Sequence, residues 1–168
     1  LKAITIPEGV TAIGDSAFAG CTSLKSVTLP QGVAEIGPSA FEGCYRLREI
    51  DLPDSVTVIR FAAFEGCASL ESITLPEGVT SIGLYAFFSC SSLEAITLSE
   101  GVKSIGQSAF SNCSNLTTIT FPEGVTNIGY YAFFGCSKLI DVYCYAEEVP
   151  TTHTYAFNSS NISKSFSI

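Results

Sequence analysis

The 168-residue sequence carries little charge and less base: eight Lys and Arg stand against sixteen Asp and Glu, for a net charge of −8. The basic stripe needed to hold phosphates is missing, which disfavours nucleic acid and anionic membrane surfaces as partners. Mean hydropathy is high at +0.37, yet no run approaches the roughly 18 apolar residues of a membrane helix, so no membrane insertion is expected. There is a single imidazole, His153, and no pair of cysteines spaced as CxxC, so the usual short-range zinc ligand sets are absent. No nucleophile-elbow motif accompanies that His, which sits among Thr151, Thr152 and Thr154 in an irregular stretch; a surface loop explains it better than a hydrolase triad does. Neither an enzyme nor a cofactor is expected. An initiator Met and a charged-then-apolar leader are also missing, so the chain reads as a fragment or mature segment.

What the sequence has is repetition. Leu1, Leu24, Leu47, Leu70, Leu93, Leu116 and Leu139 stand 23 positions apart, giving six units over 1–138 and an irregular closing unit over 139–168. A period in this range indicates a stacked solenoid, here one domain over 1–168, because a single unit cannot cover its own apolar face and stacked copies can. Numbering each unit from its leucine, Leu70–Ser92 (LESITLPEGVTSIGLYAFFSCSS) shows the pattern almost undisturbed. Apolar residues at positions 4 and 6 with polar ones between predict a strand with one dry face. Pro-Glu-Gly, as at Pro76, predicts a corner: proline presets the second residue of a type I turn and glycine suits the fourth. Val and Ile at positions 10 and 13 predict a second short strand that ends at Gly14 and its counterparts, with Arg60 as the exception. Ala, Phe and Cys at positions 17, 18 and 21 have a spacing that predicts a short helical or 3-10 turn. Eight inward side chains per unit, on parallel strands roughly 5 Å apart, give a rod or gentle arc on the order of 30 to 40 Å long.

This unit, LxxIxLPEGVTxIGxxAFxGCxx, resembles the BspA-like, or treponemal-type, leucine-rich repeat family over residues 1 to about 157. The segment Val142–Pro150 followed by Ala156 and Phe157 is similar to the way such proteins leave their repeat array. The resemblance implies a leucine-rich repeat solenoid with a parallel sheet on one face. It also implies a bacterial surface or secreted protein, located outside the cytoplasm, that binds other proteins such as host matrix or plasma proteins. It brings no catalytic motif.

The candidate contacts are outward-facing. On the first strand, positions 3 and 5 point away from the core, and in leucine-rich repeats this sheet is the usual docking face; Thr28, Glu49, Asp51, Thr74, Thr97 and Thr120 are the residues it would present. With Glu71 and Glu94 they give that face acidic character, so a basic partner surface is expected. The Thr column resembles the arrays of ice-binding solenoids, but Asp51 interrupts it, Tyr143 ends it, and β propensity accounts for it. Aromatics stand where other units mostly carry small or polar residues: Tyr45, Phe61, Tyr85, Phe88, Tyr130, Tyr131 and Phe134. Tyr85 with Phe88 and Tyr131 with Phe134 are i, i+3 pairs two units apart, separated by Ser108 and Ser111. They either form a contact patch or shield one another.

Cys21, Cys44, Cys67, Cys90, Cys113 and Cys136 share position 21, and Cys144 takes the inward position 6; parallel side chains predict free buried thiols without bridges. Glu8, Asp54, Glu77, Glu100 and Glu123 align at position 8, as solvated turn residues more than as calcium ligands, since each unit supplies one. The bare first strand, residues 1–6, predicts either a preceding unit or self-association through its edge. The Asn/Ser-rich stretch 158–167 reads as a partial cap. Two other readings remain: a structural spacer that projects another domain, and glycan binding. The latter calls for stacked aromatics beside polar side chains in a cleft, which repeats of 23 do not obviously make.

Overall fold

The structure, a computed structural model, describes residues 1–146, 148–153, 155–158 and 160. Two columns of short parallel strands run the length of the molecule. The front column is Ala3–Thr5, Ser26–Thr28, Glu49–Ile50, Ser72–Thr74, Ala95–Thr97, Thr118–Phe121 and Asp141–Cys144. Its hydrogen-bonded ladders fall into one three-stranded and two two-stranded sheets. The rear column, Ala12–Ile13, Glu35–Ile36, Val58–Ile59, Ser81–Ile82, Ser104–Ile105, Asn127–Ile128 and Thr151–Thr152, is one seven-stranded sheet in sequential order. Except in the closing unit's second strand, the pairings join equivalent positions of neighbouring units: Ile4 with Val27, Ile73 with Ile96, Ile105 with Ile128. In the closing unit Asn127 pairs with Thr151, one residue further along than elsewhere, so the extra residue is absorbed before the second strand.

The same letter of each unit therefore becomes a vertical column. All eight expected inward positions are buried in the second, fourth, fifth and sixth units, for example Leu70, Ile73, Leu75, Val79, Ile82, Ala86, Phe87 and Cys90. Leu52 in the third unit is only half-buried, and in the first unit Leu1 and Ala17 are exposed while Ile4, Val10, Phe18 and Cys21 are half-buried. The phenylalanines form one stack: Phe18, Phe41, Phe64, Phe87 and Phe110 follow at 5.3 Å with rings within 7° of parallel. Phe133 and Phe157 continue it at 5.2 Å. Ser99 stands where other units have Pro; its buried hydroxyl donates to the Pro76 carbonyl at 2.9 Å.

The third side of each coil differs from expectation. The spacing of Ala, Phe and Cys predicts a helical or 3-10 turn, but no helix is present among the described residues. The chain alternates its hydrogen bonds instead. In the second unit, Ser39, Phe41 and Gly43 donate upward to Phe61, Ala63 and Glu65 carbonyls at 2.8–2.9 Å. Between them, Ala40, Glu42 and Cys44 close four-residue turns onto Gly37, Ser39 and Phe41 at 3.1–3.2 Å. A helix would direct all these amides along its own axis and leave none for the next unit. The alternation requires left-handed backbone at two positions per unit. At position 16 it falls on Ser16, Ser39, Ala62, Tyr85, Ser108 and Tyr131, all with φ between 50 and 58°. At position 20 glycine mostly supplies it, as at Gly66, φ 70°.

Candidate binding surfaces

The front column presents Thr28, Glu49, Asp51, Thr74, Thr97 and Thr120 to solvent on one face, while Val27, Ile50, Ile73, Ile96 and Ile119 between them are buried. Strand alternation produces this, since successive side chains take opposite faces. The face is indented where the third unit departs from the pattern. Glu49, Asp51 and Asp54 line a recess of about 220 Å³ with Ser72 and Thr74. On the other side of Asp51, Thr28 and Gln31 line a second of about 140 Å³. The acidic character is not uniform. Lys25, Arg46 and Arg48, with Ser69, surround a hollow of about 300 Å³ along the border of the same strands. The front therefore presents acid and base side by side.

The aromatic residues lie on the turn side, away from the front strands, so the contact residues expected from sequence occupy two surfaces. Tyr85 and Phe88 are half-buried and meet edge-to-face at 5.6 Å, and Phe61 packs edge-on against Tyr85 at 5.9 Å. Tyr131 and Phe134 repeat the edge-to-face contact at 5.6 Å. The left-handed turn at Tyr85 and Tyr131 brings positions 16 and 19 together without a helix. Ser108 and Ser111, between the pairs, are buried at 6% and 3% exposure. The pairs thus pack on themselves and on neighbouring units, while Tyr130 and Tyr131 stay exposed at 42% and 38%. Sequence reasoning did not place Tyr155 and His153 with them. Tyr155 stacks on Tyr131 at 5.6 Å, and His153 on Tyr130 at 4.8 Å. The one-residue shift of the closing unit hides the alignment of Tyr155 with Tyr131 in the sequence. Next to the aromatics, Glu65 is half-buried above Glu42, and burial together with that like charge holds its carboxyl above the ordinary range.

The thiols are free, and those at position 21 from the second unit on are engaged. Cys67, Cys90, Cys113 and Cys136 each donate to the phenylalanine carbonyl of the preceding unit at 3.1–3.2 Å. Burial pushes Cys44 up to about 11 and Cys136 to about 12, and lifts Cys67, Cys90 and Cys113 well above the ordinary thiol value. Such thiols resist ionisation, which disfavours a nucleophilic or ligand role. Glu8, Asp54, Glu77, Glu100 and Glu123 are all exposed. Among the described residues no group of three or more His, Cys, Asp or Glu side chains could hold a metal ion. No helix there is long and apolar enough to cross a membrane. The stretch 161–168, most of the expected cap, lies outside the described residues.

The model of the BspA type leucine rich repeat region, in six copies, matches residues 1–101 and 57–168. Among solved structures, the chain is similar to the leucine-rich repeat protein TpLRR of T. pallidum, at 39% identity and a TM-score of 0.85, over 89% of this chain and 72% of that one. A leucine rich cell surface protein from Faecalibacterium prausnitzii A2-165 matches at 41% identity and a TM-score of 0.80, over 89% of this chain and 40% of that one. A leucine-rich repeat protein from Bacteroides ovatus matches at 30% identity and 0.70, over 96% of this chain and 50% of that one. The chain thus spans half or less of the length of these last two. No curated protein matches it.

Proposed function

From the premise that the chain belongs to the BspA-type leucine-rich repeat family, we propose that it is a non-enzymatic module, carried outside the cytoplasm at a bacterial surface or secreted, that binds another protein through its front strands. The observation that carries this is the row of exposed side chains from Thr28 to Thr120, set on stacked short strands and indented around Asp51. A rigid, repeated scaffold offers such a row without an ordering cost at each contact. The cell-surface description of the F. prausnitzii relative supports the location. Adhesion to extracellular matrix or plasma proteins is the form of the activity that the family suggests. The exposed aromatics Tyr130 and Tyr131, with Phe134 packed on Tyr131 and the Tyr85–Phe88 pair two units away, argue against a mere spacer, which has no use for them.

Surface plasmon resonance against purified matrix and plasma proteins tests this reading. At least one is expected to bind, and Glu49→Lys with Asp51→Lys should weaken it roughly tenfold, chiefly by slowing association and removing its salt dependence. Silence across the panel, or binding indifferent to both substitutions, would overturn it.

A further inference from the structure

A concavity of about 470 Å³ lies on the outside of the rear sheet, away from the front strands. Its floor is Gly83, Gly106 and Gly129, one from each of three successive units. The units pack so closely there that a Cβ on Gly106 would sit 2.7 Å from backbone atoms of Gly83 and Leu84. With no side chains on the floor, flanking residues become walls. On one side stand Ser81, Ser104 and Asn127, paired in register and engaged by no side-chain hydrogen bond among the described residues. On the other are Leu84, Gln107 and Tyr130. His153 closes one end, stacked on Tyr130 with rings 19° from parallel. Toward the other end, Arg60 fills the glycine position, but its guanidinium is drawn back to Glu35, Nε to Oε1 2.7 Å.

We infer that this groove is a binding site for a neutral, linear oligosaccharide. The chemistry of the walls selects the class. Among the described residues that line it there is no Asp, Glu, Lys or Arg, in a chain that carries sixteen acidic and eight basic residues. An ionic ligand therefore finds no counter-charge. Three polar side chains repeat at the unit spacing of about 5 Å, which suits a polymer of identical rings bearing hydroxyls. The apolar face of such a ring suits Tyr130, whose ring is supported from behind by His153 and 42% exposed. An extended peptide fits less well, because the floor amides are committed: Gly83, Gly106 and Gly129 donate to Ile59, Ile82 and Ile105 carbonyls at 2.9–3.1 Å. Strand addition needs free backbone groups. The cleft that repeats of this length do not obviously make is thus produced by the glycine column, with the shifted closing unit adding the His153 wall.

The site stands apart from the proposed protein-binding front, and the tests separate them: Glu49 and Asp51 probe one, Tyr130 and Asn127 the other. Titration of the isotopically labelled chain with the hexaoses of cellulose, xylan, mannan and starch should, for at least one, shift the amide signals of Gly83, Gly106 and Gly129. Tyr130→Ala should weaken that binding roughly tenfold, about 1.4 kcal/mol, and Asn127→Ala severalfold, while Tyr45→Ala, at an exposed ring on another side, leaves it unchanged. A hyaluronan hexasaccharide and a neutral Ser/Thr-rich hexapeptide serve as the anionic and peptide comparators. Binding of either comparator in preference to all four neutral sugars, shifts confined to other residues, or no shift at all would overturn the assignment. Because the signal map is taken on the unaltered chain, a Tyr130 variant that failed to fold would leave the result decisive.

Discussion

At position 21 the thiol is the residue that suits the space: small, apolar, and able to give one weak hydrogen bond to the carbonyl of the unit before, as Cys90 does to Phe64 at 3.2 Å. The column was legible because cysteine recurred in register with no histidine beside it. The hydrogen bond was not, since it depends on how far each unit is displaced over the last. Burial, the main cause, lifts Cys44 from 9.0 to about 11 and Cys136 to about 12, with Cys67, Cys90 and Cys113 also raised. The folded chain then keeps thiol protons that the unfolded chain releases above its ordinary value, so the unfolded state binds fewer protons as pH climbs. Stability is fully present below about 9 and declines through the window up to about 11 to 12. Urea midpoints should hold between about pH 7.5 and about pH 9 and fall steeply from there to about pH 10.5. Cys67→Ala with Cys90→Ala should lower the neutral midpoint but flatten the decline. A decline of unchanged steepness in that double variant would show that thiols are not its source.

The strands followed from alternation and from β-branched residues at Ile73, Thr74 and Ile82, a pattern with one solution once a dry face is required. The turn from 15 to 21 did not. Ala86, Phe87 and Cys90 satisfy a helical spacing, and position 16, filled by Ser, Ala or Tyr, gives no glycine to announce left-handed backbone. Hydrogen bonding to the next unit decides the conformation there, so no single unit contains the signal. Two substitutions separate the two demands this backbone makes. Ser89 holds φ 57° where most units have glycine and the fifth has Asn112, so Ser89→Gly should relieve that strain and raise stability by roughly 0.5–1 kcal/mol. Gly106→Ala meets a different obstacle, backbone 2.7 Å from the new methyl, and should cost about 2–3 kcal/mol by forcing the rear ladder apart. Arg60 shows what a side chain at that position accompanies: beside it the ladder shortens to the single pair Ile59 with Ile82. Chemical denaturation reads both signs; equal losses from the two would mean that steric approach and φ are not distinguishable as argued.

Seen along its whole length, the molecule has no centre. Each unit contacts only its neighbours, so stability is a sum of units and interfaces, and the cost of a defect depends on where it falls. Phe87 lies between Phe64 and Phe110 at 5.3 Å on each side and is fully buried. Phe18 occupies the same position of the first unit, has only Phe41 against it at 5.3 Å in the stack, and is half-buried. Phe87→Ala opens a cavity with ordered walls on both sides, which should cost about 3–5 kcal/mol. In a chain of these 168 residues, Phe18→Ala can lose no more than the docking energy of the first unit, because that unit can fray while the rest stays folded; about 1–2 kcal/mol is expected. Hydrogen exchange should show the mechanism directly. In Phe18→Ala the amide of Phe18, which donates to Ala40, should lose protection while that of Phe64, which donates to Ala86, keeps it. In Phe87→Ala protection should fall across the central units together. If the two substitutions cost the same and exchange rises everywhere in both, the chain folds as one cooperative body, and nearest-neighbour stacking is the wrong account of it.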